Sequence, residues 1–188
     1  MATFVTSDSH LCHALPDIWL PRGFKSADEH TNSVITIWNG MIGPDDDVFH
    51  LGDIYLSDLT RGLEAFRELH GRIHIIRGNH DTNRKISEVM VLPNVVECGK
   101  WADVIRYRKH DYYLSHHPTM CANLRETIPH MLNLHGHTHS PDRFQFFEFG
   151  CYNVSMDAHN CRPVLLDSIR PDYKEEYNRR LQLGLLGK

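Results

Sequence analysis

No Cys-x-x-Cys pair occurs in this 188-residue chain, no uninterrupted apolar run approaches bilayer-spanning length, and positive charge is not in excess. Each absence removes a class of protein. The five cysteines, Cys12, Cys98, Cys121, Cys151 and Cys161, are odd in number and scattered, so neither a disulfide framework nor a thiolate zinc site is indicated. A reduced, cytoplasmic setting fits that usage. The lack of a long apolar run argues against a membrane-spanning helix. A net charge of -4 argues against a broad basic surface, so neither extended nucleic-acid binding nor coating of an anionic membrane is expected. The amino terminus enters a strand-like segment without a basic stretch and apolar core, so a signal peptide is not expected. Repeats, low-complexity tracts and linker-like shifts in composition are missing too. One domain over residues 1–170 is therefore expected, with 171–188 as a charged, then Leu-rich tail that forms a terminal helix of it or a frayed end. Leu181, Leu183, Leu185 and Leu186 offer an apolar face to a second copy or to their own domain, which leaves the oligomeric state open.

What the chain has in abundance is histidine, 15 residues in all, dispersed rather than run together as in a tag. Their placement follows the pattern of elements. Ala2 to Thr6, Val48 to Leu51 and Arg72 to Arg77 read as short buried strands, and each meets a polar loop, at Asp8, at Gly52-Asp53 and at Gly78-Asn79. Ser26 to Met41 reads as a helix capped by Ser26, with Val34, Ile37, Trp38 and Met41 at three- and four-residue spacing and Gly43-Pro44 as its stop. Leu56 to Leu69 reads as a second helix, capped by Ser57. Beyond it, Val95-Val96, Trp101 to Tyr107, Tyr112 to His116, Met131 to Leu134, Phe144 to Phe149 and Tyr152 to Met156 are short strand candidates. That change of style predicts a second, more antiparallel sheet packed on the first.

Asp8 and His10 are two residues apart, as are His137 and His139. In extended backbone that spacing projects both side chains to one side, so each pair can aim into one cavity. Asp53, Asn79 and His116 follow other strands, and loops at strand ends of an α/β sheet are where sites are assembled. A lone His-x-His is a weak signal and a lone Asp-x-His a weaker one. Five such blocks in order are specific.

The ordered set resembles the calcineurin-like metallophosphoesterase superfamily. Its pattern is Asp-x-His, Gly-Asp, Gly-Asn-His-Asp/Glu, a His after a strand, and Gly-His-x-His. Here it reads Asp8-Ser9-His10, Gly52-Asp53, Gly78-Asn79-His80-Asp81, His116 and Gly136-His137-Thr138-His139. Val48 to Asp53, Tyr152 to Asp157 and Arg162-Pro163 also resemble small bacterial and phage members. The resemblance implies an α/β fold, a four-layer αββα sandwich of two mixed β-sheets flanked by helices. It implies one metal held by Asp8, His10, Asp53 and His139 and a second held by Asp53, Asn79, His116 and His137, with Asp53 bridging. Two dications outweigh Asp8, Asp53 and a bridging hydroxide in charge, and a net positive centre attracts phosphate. Mixed nitrogen and oxygen donors favour a transition ion over calcium or magnesium, and affinity order alone does not name it; manganese is the first expectation, with iron, zinc or nickel as alternatives.

By the same resemblance His80 is the general acid, and Asn79 and His80 contact the substrate phosphate. An acid imidazole needs an orienting partner; adjacency makes Asp81 the candidate, and because consecutive residues in extended chain face opposite ways, Asp58 or Asp157 are alternatives. His117, like His13 and His135, neighbours ligands and is a candidate for supporting them or touching substrate. His50 and His74 read as packed strand residues, and His30, His70, His110, His130 and His159 as surface or loop residues. Arg22, Arg77, Arg125 and Arg143 are left without a role. The expected function is binuclear-metal-dependent phosphodiester hydrolysis of a small nucleotide-like substrate, with a metal-bridging hydroxide as nucleophile. The alternative is a phosphomonoesterase acting on a small phosphorylated metabolite, and behind it a nuclease or a non-catalytic scaffold. Gly52-Asp53 continues as Ile54-Tyr55-Leu56-Ser57-Asp58 without the Asp-Arg-Gly of protein phosphatases, which argues against a phosphoprotein substrate.

Overall fold

Along β1 (Thr3–Thr6) successive side chains go to opposite faces, and both faces are buried. Phe4 packs into an apolar cluster with Trp38 and Phe66, and Val5 into another with Leu114 and Leu134. A strand buried on both sides needs a layer on each. The computed structural model, which describes residues 1–121 and 128–186, contains both layers.

The strand β1 pairs in parallel with β2 (Asp47–His50), β2 with β3 (Arg72–Ile76) and β3 with β4 (Val95–Lys100). On the other edge of β1, the short β9 (Val164–Leu165) runs antiparallel. After β1 comes a single helical turn, α1 (Pro16–Trp19), and then α2 (Ala27–Met41). The outer face of this sheet is covered by α2, α3 (Leu59–Arg67) and α4 (Asn83–Val89), through Val34, Trp38, Phe66, Ile86 and Val89. Ser26 caps α2 as its sequence predicts, accepting from Glu29 N at 3.1 Å. The second helix begins three residues later than the pattern predicts, because Asp58 rather than Ser57 caps it. Leu56 is held out of the helix by its N–H bond to Leu11 O, and Ser57 takes a positive φ of 71°.

The second sheet contains β5 (Ala102–Tyr107), β6 (His110–Ser115), β7 (Met131–His135) and β8 (Cys151–Asn153) in that order. The expectation of a more antiparallel sheet needs correction: β5–β6 is an antiparallel hairpin, but β6–β7 and β7–β8 are parallel. Long connections between these strands permit the crossovers that parallel pairing requires. The strand expected over Phe144 to Phe149 is instead a turn that ends in a 3-10 helix at Phe147–Phe149, entered through Phe146 at φ 58°. The sheets face each other across Val5, Leu51, Leu114, Leu132, Leu134 and Tyr152. This is two mixed sheets flanked by helices, as the resemblance implies.

Helix α5 (Leu166–Gln182) buries Leu166, Ile169 and Tyr173 in the intersheet cluster and continues through Pro171. Its Arg170 donates to the Pro129 and His130 carbonyls just before β7, which ties the helix to the strand's entry end. Leu186 packs on the same cluster, while Leu181, Leu183 and Leu185 are exposed. Among the described residues no helix is long and apolar enough to cross a membrane.

His30 departs from its surface expectation. It lies fully buried on α2, its ring 5.3 Å from that of Phe24. Burial lowers it to about 3, and burial lowers His50, inside β2, to about 4. Both rings stay neutral in the folded chain and take up a proton in the unfolded chain below the ordinary value of 6.5. Stability is therefore full above that value and declines as pH falls towards 4, on the order of 3 kcal/mol from His50 alone. Melting temperature measured against pH is expected to drop across that window; a flat profile would contradict the assignment.

Candidate metal centre

Because β1, β2 and β3 are parallel in one sheet and β6 and β7 in the other, their carboxyl ends open onto one cleft. Asp8 and His10 follow β1, Asp53 follows β2, Asn79 and His80 follow β3, His116 and His117 follow β6, and His137 and His139 follow β7. The loops cross so closely that Gly52, Gly78 and Gly136 admit only glycine. A Cβ on Gly78 would lie 2.1 Å from Asp53 Oδ1, and one on Gly136 would lie 2.1 Å from Asp8 Oδ2.

The paired side chains do not converge by strand alternation, as their spacing suggests. Asp8, His10, Asp53, His137 and His139 have φ of 60°, 42°, 58°, 68° and 49°, so the chain curls at each of them. Left-handed backbone costs a non-glycine residue on the order of 1 kcal/mol, and such strain persists only where the surroundings impose it.

Two clusters of donor atoms result. In the first, Asp8 Oδ1 stands 3.8 Å from both His10 Nε2 and His139 Nε2, and Asp53 Oδ2 is 3.7 Å from His10 Nε2. In the second, Asn79 Oδ1 is 2.9 Å from both His116 Nε2 and His137 Nδ1, the two nitrogens are 3.2 Å apart, and Asp53 Oδ2 is 3.5 Å from His116 Nε2. Asp53 Oδ2 therefore borders both. The longer separations exceed hydrogen-bond length. They approximate the roughly 3.4 Å edge of a tetrahedron whose corners lie about 2.1 Å from a central ion.

The surrounding hydrogen bonds leave lone pairs facing lone pairs. His116 Nδ1 lies 2.8 Å from the Leu51 carbonyl, which only accepts, so that nitrogen carries the proton and Nε2 presents a lone pair to Asp53, Asn79 and His137. His139 Nδ1 lies 2.9 Å from Asp157 Oδ2, which turns its own Nε2 lone pair towards Asp8. Asp8 Oδ1 and both ring nitrogens of His10 are buried without a protein partner. A buried acceptor with no donor is costly, and a cation in the first cluster removes that cost for Asp8 Oδ1 and His10 Nε2. Burial raises the Asp8 carboxyl, while burial and then the charge of His139 push His10 well below its ordinary value, towards the neutral imidazole that binds metal. The residues present thus fit divalent ions. Three groups, Asp8/His10/His139, Asp8/Asp53/His116 and His116/His117/His137, bring their donor atoms within 4.8 Å of one another.

No family model matches the chain. It is 30% identical over 174 residues to an uncharacterized protein of Methanocaldococcus jannaschii, covering 88% of each. It is also 30% identical over 167 residues to the Gene 66 protein of Mycobacterium phage L5, covering 74% of this chain and 78% of that one. Among solved structures it is similar to a protein of unknown function from Aquifex aeolicus, with a TM-score of 0.66 and 22% identity over 90% of this chain and 98% of that one. It is similar too to YfcE, a phosphoesterase from E. coli, with a TM-score of 0.51 and 17% identity over 82% and 78%. The five blocks that define the resemblance thus meet in one cleft of a fold shared with a phosphoesterase. The chain is of one family with the Methanocaldococcus jannaschii protein and shares the fold of that phosphoesterase.

Around this donor set, several residues have duties that differ from expectation. Arg22, left without a role by its sequence, is buried beside the first cluster. Its guanidinium grips Asp157 in a fork of 3.0 Å and 2.7 Å and donates to Asp8 O at 2.8 Å. Asp157 in turn holds His139. Burial opposes that arrangement, but the bonds from His139 and Arg22 outweigh it and hold Asp157 far below the carboxylate range. For His139 the bond to Asp157 and the charge of Asp8 likewise outweigh burial and raise it. The pair Arg22–Asp157 is 135 residues apart in sequence, so no local pattern announces it.

Asp81 faces away from the His80 ring. It accepts from Asp53 N at 2.7 Å and Gly78 N at 2.9 Å and pairs with buried Lys85 at 3.3 Å, which clamps two loops together. Asp58 caps α3. His80 is left with Asp53 as its carboxylate among the described residues, through a 2.9 Å bond from its backbone N–H to Oδ1 and a ring nitrogen 4.0 Å from Oδ2. His117 is exposed and lies 4.2 Å from His137 between ring centroids, at the rim of the second cluster. His13 is bonded to Asp17 at 2.9 Å, its ring 5.9 Å from that of His10. Arg77 and Arg143 bond to Asp81 O and Asp172, and Arg125 lies outside the described residues.

If Asp157 orients His139, replacing it should loosen one ion selectively. Asp157→Ala is expected to weaken the first cluster's affinity for Mn2+ by about ten- to a hundredfold in titration calorimetry. Unchanged affinity in both clusters would rule out that duty.

Proposed function

We propose that this chain is a metal-dependent phosphoester hydrolase that cleaves a phosphodiester in a small, nucleotide-like substrate. The observation that carries the reading is the position of Asp53 Oδ2, 3.7 Å from His10 Nε2 and 3.5 Å from His116 Nε2, between two sets of acceptor atoms. The shared fold with the phosphoesterase YfcE supports the same reaction class. Two divalent ions, manganese by preference and iron, zinc or nickel otherwise, supply a water with a pKa lowered to about 7 and a paired clamp on the phosphate oxygens.

The chain's own groups bind and move protons around that centre. Asn79 turns its carboxamide oxygen to His116 and His137, and its amide nitrogen, unpartnered among the described residues, donates to a phosphate oxygen. His80, with a side chain 47% exposed, stands on the open side of the cleft and delivers a proton from its ring to the leaving oxygen. The cations around this centre, Arg22, Arg77 and Lys85, are engaged by protein groups, which favours the singly charged diester over a doubly charged monoester.

The test is a Mn2+-dependent assay with one aryl phosphodiester and one aryl phosphomonoester on wild type, Asp53→Asn and His80→Ala. Wild type is expected to favour the diester, and Asp53→Asn to lose activity along with bound metal. A general acid matters most when the leaving group is basic. His80→Ala should cost about 100- to 10,000-fold in kcat for an alkoxide leaving group and far less for p-nitrophenolate. No metal-dependent turnover of either ester, or full activity in Asp53→Asn, would overturn the reading.

A further inference from the structure

A slot of about 340 Å³ opens against His139, walled by Pro21, Phe24, Pro141, Met156 and Asn160. That volume lies at the low end of the roughly 300–1,000 Å³ range of small-ligand pockets. His139 belongs both to the slot and to the first donor cluster, so an occupant sits one imidazole away from the place where a phosphate would bind. The walls present flat, rigid surfaces. Phe24 is half-buried and backed by the His30 ring at 5.3 Å, Pro21 and Pro141 are exposed on either side, and Met156 is fully buried beneath.

The polar groups make up about half of the lining and are of unequal kind. Arg22 and Asp157 line the slot as a closed ion pair at 2.7 Å, which leaves little net charge to draw a second anion. Asn160 is exposed, has a φ of 51°, and its carboxamide has no protein partner among the described residues, so both its donor and its acceptor are free. Flat apolar walls at Phe24, the two prolines and Met156, with one unengaged amide at the rim, match a heterocyclic base, which stacks through its faces and bonds through its edge.

We propose that this slot is a base-binding subsite, in which Phe24 stacks on the base and Asn160 reads its edge, so that the enzyme selects phosphodiesters of nucleosides. This rests on the phosphoesterase reading of the metal centre. Phe24 and Asn160 are then specificity residues that act on substrate binding, remote from the proton transfers at His80.

The test compares esters that share a leaving group, adenosine and thymidine 5′-(p-nitrophenyl phosphates) against methyl p-nitrophenyl phosphate. The enzymes are Mn2+-loaded wild type, Phe24→Ala and Asn160→Gly, the last retaining the left-handed backbone. Wild type should prefer at least one nucleoside ester by about tenfold or more in kcat/KM, the worth of one base–aromatic contact. Each substitution should shrink that ratio, mainly through KM. Because Phe24 also packs on the core, Asn160→Gly keeps the question answerable if Phe24→Ala does not fold. Equal kcat/KM for nucleoside and methyl esters in wild type, or a ratio indifferent to the substitutions, overturns the assignment. If none of the esters is hydrolysed, the phosphoesterase reading fails, and binding of adenosine and thymidine 5′-monophosphates against inorganic phosphate decides the slot separately. Tighter nucleotide binding that Asn160→Gly weakens supports it, and binding no tighter than phosphate overturns it.

Discussion

The Asp53 carboxylate faces two clusters of acceptor atoms at once, and much of the surrounding structure keeps it there. A buried anion is stable only when its other contacts are satisfied and its position is fixed. The backbone N–H of Asp53 is held by Asp81, whose second bond reaches Gly78 across the neighbouring loop. Lys85, itself 1% exposed, balances Asp81 and donates to the His80 and Tyr55 carbonyls. His10 N bonds to Asp53 O, and Asp8 N to Gly52 O, both at 3.0 Å, so the loops after β1 and β2 are stitched together immediately beside the donors. Removing Lys85 would leave Asp81 as a buried charge without its partner, a far larger disturbance than losing a surface pair.

Topology explains why these loops can meet. Parallel strands send all their carboxyl ends to one edge of a sheet, and the second sheet is parallel where it matters, at β6 and β7, which deliver His116, His137 and His139. Helix α5 closes the molecule where β7 begins, leaving the carboxyl ends of the strands free for chemistry. The backbone strain at five donor residues is the local counterpart of that arrangement. Intersheet packing and the glycine crossings at Gly78 and Gly136 hold the curled loops in place.

What could be read from the sequence was local. Ser26 and the apolar spacing of Val34 and Trp38 announce α2, and the order of Asp8, His10, Asp53, Asn79, His116, His137 and His139 announces the residues that the fold gathers. What could not be read depends on distant contacts. The direction of β7 and β8 follows from crossovers that a run of apolar residues does not encode. His30 is buried because the turn carrying Arg22 and Phe24 folds over it, and Asp157 serves His139 because Arg22 stands behind both. Asp81 sits next to His80 in sequence, yet its carboxylate bonds to the loop of Asp53. Adjacency therefore misleads where the chain turns sharply.

If Asp53 bridges two ions, they lie roughly 3.5 to 4 Å apart, and that has a direct spectroscopic consequence. Titration of the protein with Mn2+ under electron paramagnetic resonance should reveal two ions per chain with an exchange-coupled signal, and Asp53→Asn should weaken both ions and abolish the coupling. A single ion per chain, two uncoupled ions, or an Asp53→Asn variant that weakens one ion and leaves the other unchanged would contradict the shared centre.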